Sequence, residues 1–244
     1  MVDTLESSLP IETTGDAADY VRIIKDGVSS LMTVANARLL LDNTGSAPTI
    51  RGTASNNGTS SVTVTHPAGS AEGDDAYIIA AGGNYSTVPT GWTTVETYIA
   101  NGWSFRLMRK TLTAGDISTG SVTVSFTGSF SEHVVMVVFE GATSGLTLCD
   151  YRAVPSAQRT LYFNGVKYTS RRIEKASKVF VALTARANQD NLCSDGTSLQ
   201  NSKRTNGSLR LFELTYNVEG VDSTVTIPGD GGYDPIMLRF AVTA

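Results

Sequence analysis

Acid–base chemistry runs most often through histidine or a pair of carboxylates, and this chain holds little of either in a working pattern. Its two histidines, His66 and His133, stand at the ends of β-prone runs. His66 closes an alternating Ser-Val-Thr-Val-Thr segment before Pro67, and His133 opens an apolar one. Serine is abundant, but no Gly-x-Ser-x-Gly phrase lifts a nucleophile toward either imidazole. Both histidines read as half-buried strand residues. Glu96, Glu132, Glu140 and Asp150 are scattered over strand ends, and spacing alone brings no two to the separation that glycoside hydrolysis needs. Ala81-Gly82-Gly83-Asn84 lacks the following Lys and helix of a phosphate-binding loop and reads as a turn. The expectation is a protein without catalytic residues.

Hard oxygen donors on one loop suit calcium. Glu72-Gly-Asp-Asp75 and Asp230-Gly-Gly-Tyr-Asp234 have the donors without the regular spacing, so they read as turn-forming aspartates. Cys149 and Cys193, the only cysteines, make no disulfide framework and have no metal-ligand spacing. They read as small hydrophobes, with a bridge between them the open alternative. Neither a metal nor a cofactor is expected. Saccharide binding is the more serious site hypothesis, because exposed aromatic faces stack on sugar rings beside amide donors. Tyr85 and Trp103, with Asn84 and Asn101 near them in sequence, are the candidates. Trp92, in a Pro-Thr-Gly-Trp corner, reads instead as a plug for the end of a core.

The elements that must position these residues are strands. Ser61-Val-Thr-Val-Thr65 alternates strictly, while Asp75-Ala-Tyr-Ile-Ile-Ala-Ala81 and Glu132-His-Val-Val-Met-Val-Val-Phe139 are continuous apolar runs of strand length, as fully buried strands show. Residues 93–99, 103–109 and 121–126 complete the first set, with Gly, Pro, Asn and Asp between them. A second set echoes it about a hundred residues later, at 178–185, 207–214, 222–228 and 234–242, with Arg159-Thr-Leu-Tyr-Phe163 between. Ser-Leu-Arg-Leu-Phe at 208–212 matches Ser-Phe-Arg-Leu-Met at 104–108. No stretch here keeps a 3.6-residue apolar period. The reading is all-β: a two-sheet sandwich of jelly-roll or immunoglobulin-like type over residues 47–244, built from two similar halves at about 50–142 and 143–244.

Composition agrees. Hydrophobic residues make up 41%, charged residues only 17%, and 23 glycines fit many short strands joined by tight turns. A net charge of -4 gives no general attraction to nucleic acid or to an anionic membrane. The pairs Arg171-Arg172 and Lys203-Arg204 read as solvated. No apolar run reaches the roughly 20 residues that span a bilayer, and the first residues lack a signal-peptide pattern, so synthesis in a cytoplasm is expected.

Residues 1–46 stand apart. Two short β-prone runs flank Asp26-Gly27, the strongest short hairpin signal, and a short helix is expected after the second. A piece this small does not bury a core of its own, so it reads as a docking or oligomerisation segment. Leu9, Pro10, Ile23, Ile24, Leu31, Met32 and Val34, with the Asp26-Gly27 turn, are its expected contact residues.

Ser8-Leu9-Pro10, Gly15-Asp16, the run at 20–24, Asp26-Gly27 and Met32-Thr-Val-Ala35 together resemble the opening of tail fibres and tailspikes of tailed bacteriophages. A second resemblance rests on Gly73-Asp74, Val88-Pro-Thr-Gly-Trp92, the strand at 103–110, Gly120-Ser-Val-Thr-Val-Ser-Phe126 and Glu140-Gly141-Ala142. It is to a β-sandwich module found in phage structural proteins and in some bacterial surface proteins. Where that module carries aromatic-Arg-Gly, this chain has Phe139-Glu140-Gly141. The resemblance implies a non-enzymatic virion protein, of tail or head, that joins other virion proteins and forms a homo-oligomer, a trimer being commonest in fibres. It implies no nucleic-acid partner and no membrane insertion. The alternative it leaves open is a carbohydrate-binding module of a host-attachment protein, with a surface glycan as ligand.

Overall fold

A computed structural model describes residues 20–25, 28–33, 47–82, 86–100, 103–128, 130–143, 145–153, 160–163, 177–185, 192–193, 196–214, 223–226 and 236–243. The chain divides into two compact units, Met1–Gly45 and Ser46–Ala244. In the first, strands β1 (Tyr20–Lys25) and β2 (Val28–Thr33) form an antiparallel hairpin in which Lys25 faces Val28 across a two-residue connection. Asp26, Gly27, Leu9, Pro10, Val34 and the short helix expected after β2 lie outside the described residues.

The second unit is the sandwich. Its first half runs β3 (Ile50–Gly58), β4 (Ser61–Thr65), β5 (Asp75–Gly82), β6 (Thr93–Ala100), β7 (Trp103–Thr111), α1 (Ala114–Thr119), β8 (Ser121–Ser125) and β9 (Glu132–Phe139). Five of these strands make one antiparallel sheet in the order β3-β9-β5-β7-β6, and β4 pairs with β8 in a small second sheet. The second half runs β10 (Gly145–Ala153), β11 (Thr160–Phe163), β12 (Ser177–Ala185), β13 (Leu192–Cys193), β14 (Gly196–Arg204), β15 (Gly207–Leu214), β16 (Ser223–Thr226) and β17 (Ile236–Thr243). Its large sheet has the order β10-β17-β12-β15-β14, and β11-β16-β13 make the small one. Replacing each strand of the first large sheet by its counterpart in the second reproduces the order. The agreement reaches the defects: register shifts fall between Thr94 and Glu96 and between Ser198 and Gln200, and again between Ile50 and Gly52 and between Leu146 and Leu148. The extra residues of the first pair, Val95 and Leu199, both pack against the core that the halves share.

That core lies between the two large sheets. Tyr77, Ile79, Phe105, Leu107, Val135, Val137 and Phe139 from one meet Phe180, Leu209, Leu211, Leu238, Phe240 and Val242 from the other. The rings form a chain across the boundary: Tyr77 meets Phe139 edge-on at 5.7 Å, Phe139 meets Phe180 at 5.7 Å, and Phe180 stacks on Phe240 at 5.1 Å. The opposite face of the first large sheet is covered too, by Val62, Val64 and Val124 of β4 and β8 over Ile78, Met108 and Met136. Two covered faces explain why β5 and β9 are buried at every position and why their sequences do not alternate. Each large buried side chain contributes about 1.5–3 kcal/mol. The halves thus share one core within a single compact unit.

Helix α1 stands between the strands read at 103–109 and 121–126, where no helical period was expected. Thr113 caps it: its Oγ1 accepts from the Asp116 N–H, and the Asp116 carboxylate accepts from the Thr113 N–H at 2.9 Å. Gly120 ends it with φ of 70°, a left-handed conformation suited to glycine.

Candidate functional site

Among the described residues, the densest gathering of ionisable groups is at one end of the first large sheet, around Asp74 and Asp75. Asp75 opens β5, its side chain wholly buried. It accepts from Thr111 Oγ1 at 2.7 Å, from Arg109 Nη2 at 2.5 Å, and from the backbone N–H and hydroxyl of Thr143 at 2.8 and 2.7 Å. Arg109 also donates to the Thr143 carbonyl, and the Thr143 hydroxyl meets the Tyr77 hydroxyl at 3.0 Å. Asp74 accepts from the N–H groups of Ala71 and Gly141 at 2.8 and 2.9 Å and pairs with Arg51 at 2.7 Å. Arg51 is the extra residue at the β3 register shift, and it reaches Glu140 as well, at 3.4 Å.

Burial alone pushes both carboxyls up. For Asp75 the bonds from Thr111, Arg109 and Thr143 outweigh burial; for Asp74 those from Gly141, Ala71 and Arg51 do. Both end below the ordinary carboxylate range. These oxygens are occupied by protein donors, with two guanidinium groups beside them, which is the wrong environment for a calcium ion. What the pair grips is residues 140–143, the connection between the halves. It is a latch. The Asp230–Asp234 phrase lies outside the described residues.

The other carboxylates do not converge. Glu132 is buried at one end of β9 and Glu140 is exposed just past the other end, eight residues on, or roughly 26 Å along an extended strand. That exceeds the working separation of a hydrolytic pair several-fold. Glu96 accepts from the Thr97 N–H on β6, and the Asp150 side chain lies outside the described residues. Among the described residues no group of three or more His, Cys, Asp and Glu is placed to hold a metal.

The boundary between the halves carries its own polar seam. Edge strand β3 of one half lies against edge strand β14 of the other: Ser55 donates to Gln200 Oε1 at 2.8 Å, Gln200 Nε2 donates to Thr53 Oγ1 at 2.9 Å, and Asn57 donates to the Lys203 carbonyl at 3.3 Å. Ser202 donates to the Asn56 carbonyl at 3.2 Å and sits 2.9 Å from His133 Nδ1. His133 is fully buried, more deeply than the half-buried position expected of it. Burial, then the nearby Arg204 charge, pushes its pKa down to about 4. His66 follows β4 and is partly buried, and burial lowers its pKa too.

The saccharide-binding expectation for Trp103 is corrected. Its ring is 2% exposed, it belongs to the shared core, and its indole N–H donates to Thr184 Oγ1 across the boundary at 2.8 Å. A ring with both faces covered offers nothing to a sugar. Trp92, read as a core plug, packs over Ile78 and Met108 under β4 and β8. Tyr85, Asn84 and Asn101 lie outside the described residues, as do the side chains of Ile23, Ile24, Leu31 and Met32. Among the described residues the exposed large apolar side chains are Val88, Ile99 and Phe130, none of them a site residue expected from the sequence. Ile99 faces Ser104, Ser104 faces Gly82, and Gly82 lies level with Glu132. Ile99 and Phe130 therefore share one end of the sheet.

An all-β sandwich of two topologically alike halves, latched at their connection, is the class that this geometry defines. No family model, curated protein or solved structure matches the chain.

Proposed function

We propose that the chain is a structural component of a tailed-phage virion, a tail fibre or adaptor or a head decoration, with an outward sandwich anchored by the first 45 residues. The observation that carries this reading is the division of the chain: a small separate unit containing one two-stranded hairpin precedes a large sandwich. A lone hairpin is marginal in water and gains stability from another surface. In this reading the hairpin docks on other virion proteins or assembles with its copies, most simply as a trimer. The role asks for a rigid, soluble spacer. The sandwich supports it with charged groups spent on internal pairs, namely Asp74, Asp75, Arg51 and Arg109, and with Ser and Thr on the outward positions of β4 and β8.

The test is removal of residues 1–45. The truncated protein should fold, with unchanged far-ultraviolet circular dichroism, and should fail to incorporate into particles that take up the full chain. Incorporation of the truncated protein would overturn the anchoring role. The carbohydrate-binding reading loses Trp103 to the core. A glycan array showing saturable binding that Tyr85→Ala abolishes would restore it.

A further inference from the structure

His133 is a buried titratable group with no part in the proposed anchoring. Its hydrogen bonds fix its state. The single hydroxyl proton of Ser202 goes to the Asn56 carbonyl, so His133 Nδ1 must carry the proton that it shares with Ser202 Oγ. Nε2 is then the bare nitrogen, and it has no hydrogen-bond partner in the structure. It points into the space left by Gly207 of β15, where a Cβ would stand 2.8 Å from Nε2 and 3.0 Å from Ser131 Cβ.

The charges around the ring are unfavourable to a second proton. From β14 the facing charge is Arg204, a cation, while Lys203 alternates to the other side of that strand. From β3 come Asn56 and Asn57, both neutral, from β15 Gly207 and Ser208, and from β5 Ala81. The acidic chain neighbour of His133, Glu132, leaves β9 on the opposite face, where its carboxylate fills the place that a side chain at Gly82 would take.

We infer that this corner of the seam is an acid-responsive joint: protonating His133 puts an N–H without an acceptor, and a positive charge beside Arg204, between β9 and the β14–β15 hairpin, and the β3–β14 contacts loosen there while the sheets stay intact. The response is local. The apolar core beyond it holds the halves together, and the Asp74–Asp75 latch holds their connection.

Hydrogen–deuterium exchange of the full chain from pH 7.5 to pH 4.5, corrected for the intrinsic pH dependence of amide exchange, tests the joint. Protection in residues 50–58 and 196–204 should fall at least tenfold over that range, with residues 75–82 better protected than both at every pH and the far-ultraviolet spectrum constant. In His133→Asn the loss should disappear. An equal loss in wild type and variant, equal protection of all three segments at pH 4.5, or no loss in wild type would each overturn the proposal. Should the variant fail to fold, histidine-selective NMR of the unaltered protein decides: the His133 ring must titrate below the ordinary histidine range, toward the acid end of the protection loss, and an unshifted titration refutes the joint.

Discussion

Trp103 and Thr184 belong to different halves, and the indole N–H of the first donates to the hydroxyl of the second at 2.8 Å. Thr184 passes its own proton on to the Ser208 carbonyl at 2.9 Å, so the bond completes a buried polar chain inside an apolar cluster.

Replacing that tryptophan separates its ring from its donor. Trp103→Phe should cost about 1 kcal/mol, the net worth of one hydrogen bond, and Trp103→Ala about 3–5 kcal/mol, because it also opens a cavity. Urea denaturation followed by circular dichroism measures both. A cost near zero for Trp103→Phe would mean that the bond to Thr184 adds nothing.

The aspartate latch predicts a large contrast between neighbouring acids. Asp75→Ala removes a wholly buried carboxylate from Arg109, Thr111 and Thr143 and should cost about 3–5 kcal/mol. Glu140→Ala removes an exposed partner of Arg51 and should stay within about 0.5 kcal/mol. Thermal melts of the two variants check this.

Gly82 and Glu132 should be coupled. A Cβ at position 82 would fall 1.3 Å from Glu132 Oε2, so Gly82→Ala should cost about 1–3 kcal/mol through overpacking. Combined with Glu132→Ala it should cost less than the sum of the two single changes. A double-mutant cycle with no interaction energy would show that the carboxylate simply moves aside.

Acid should weaken the fold in two ranges. His133 has its pKa lowered in the folded state, so the unfolded chain takes up the proton first. Its contribution is intact above pH 6.5 and is lost as pH falls toward 4, about 3 kcal/mol in all. Asp116 has burial pushing its pKa up and bonds from Lys110 and Thr113 pulling it down to about 2. Its contribution is present above pH 3.8 and is lost as pH falls toward 2, about 2 kcal/mol. Asp116→Asn should lessen the loss in the lower range, which Asp74 and Asp75 share, and leave the upper range unchanged, as measured by urea midpoints across pH.

The buried strands were legible because their composition leaves no other choice: β5 and β9 are apolar without interruption, and a strand covered on both faces needs that. The repeat was legible through matched phrases such as those in β7 and β15. Strands β3 and β14 were not, since Arg-Gly-Thr-Ala-Ser-Asn-Asn and Thr-Ser-Leu-Gln-Asn-Ser-Lys look like loops. Their polar side chains are spent on each other across the boundary, a partnership that no local pattern announces. Helix α1 was hidden because a capping Thr and a Gly after Ala read as turn chemistry, although Thr113 and Asp116 carry the capping-box spacing with Asp as the acid. Trp103 misled for a related reason. Its neighbours Asn101 and Gly102 suggested a surface, while the second half that covers it lies some eighty residues downstream.

Because Val95 and Leu199 occupy the same irregular place in their respective sheets, the molecule contains its own reference. Where equivalent positions hold different residues, as Trp103 and Gly207 do or Ala81 and Thr184, the two like sheets depart from one another. The half that carries Gly207 leaves room there for the opposite imidazole, and its Thr184 receives the indole of the other half. Departures of this kind commit the two halves to one mutual orientation.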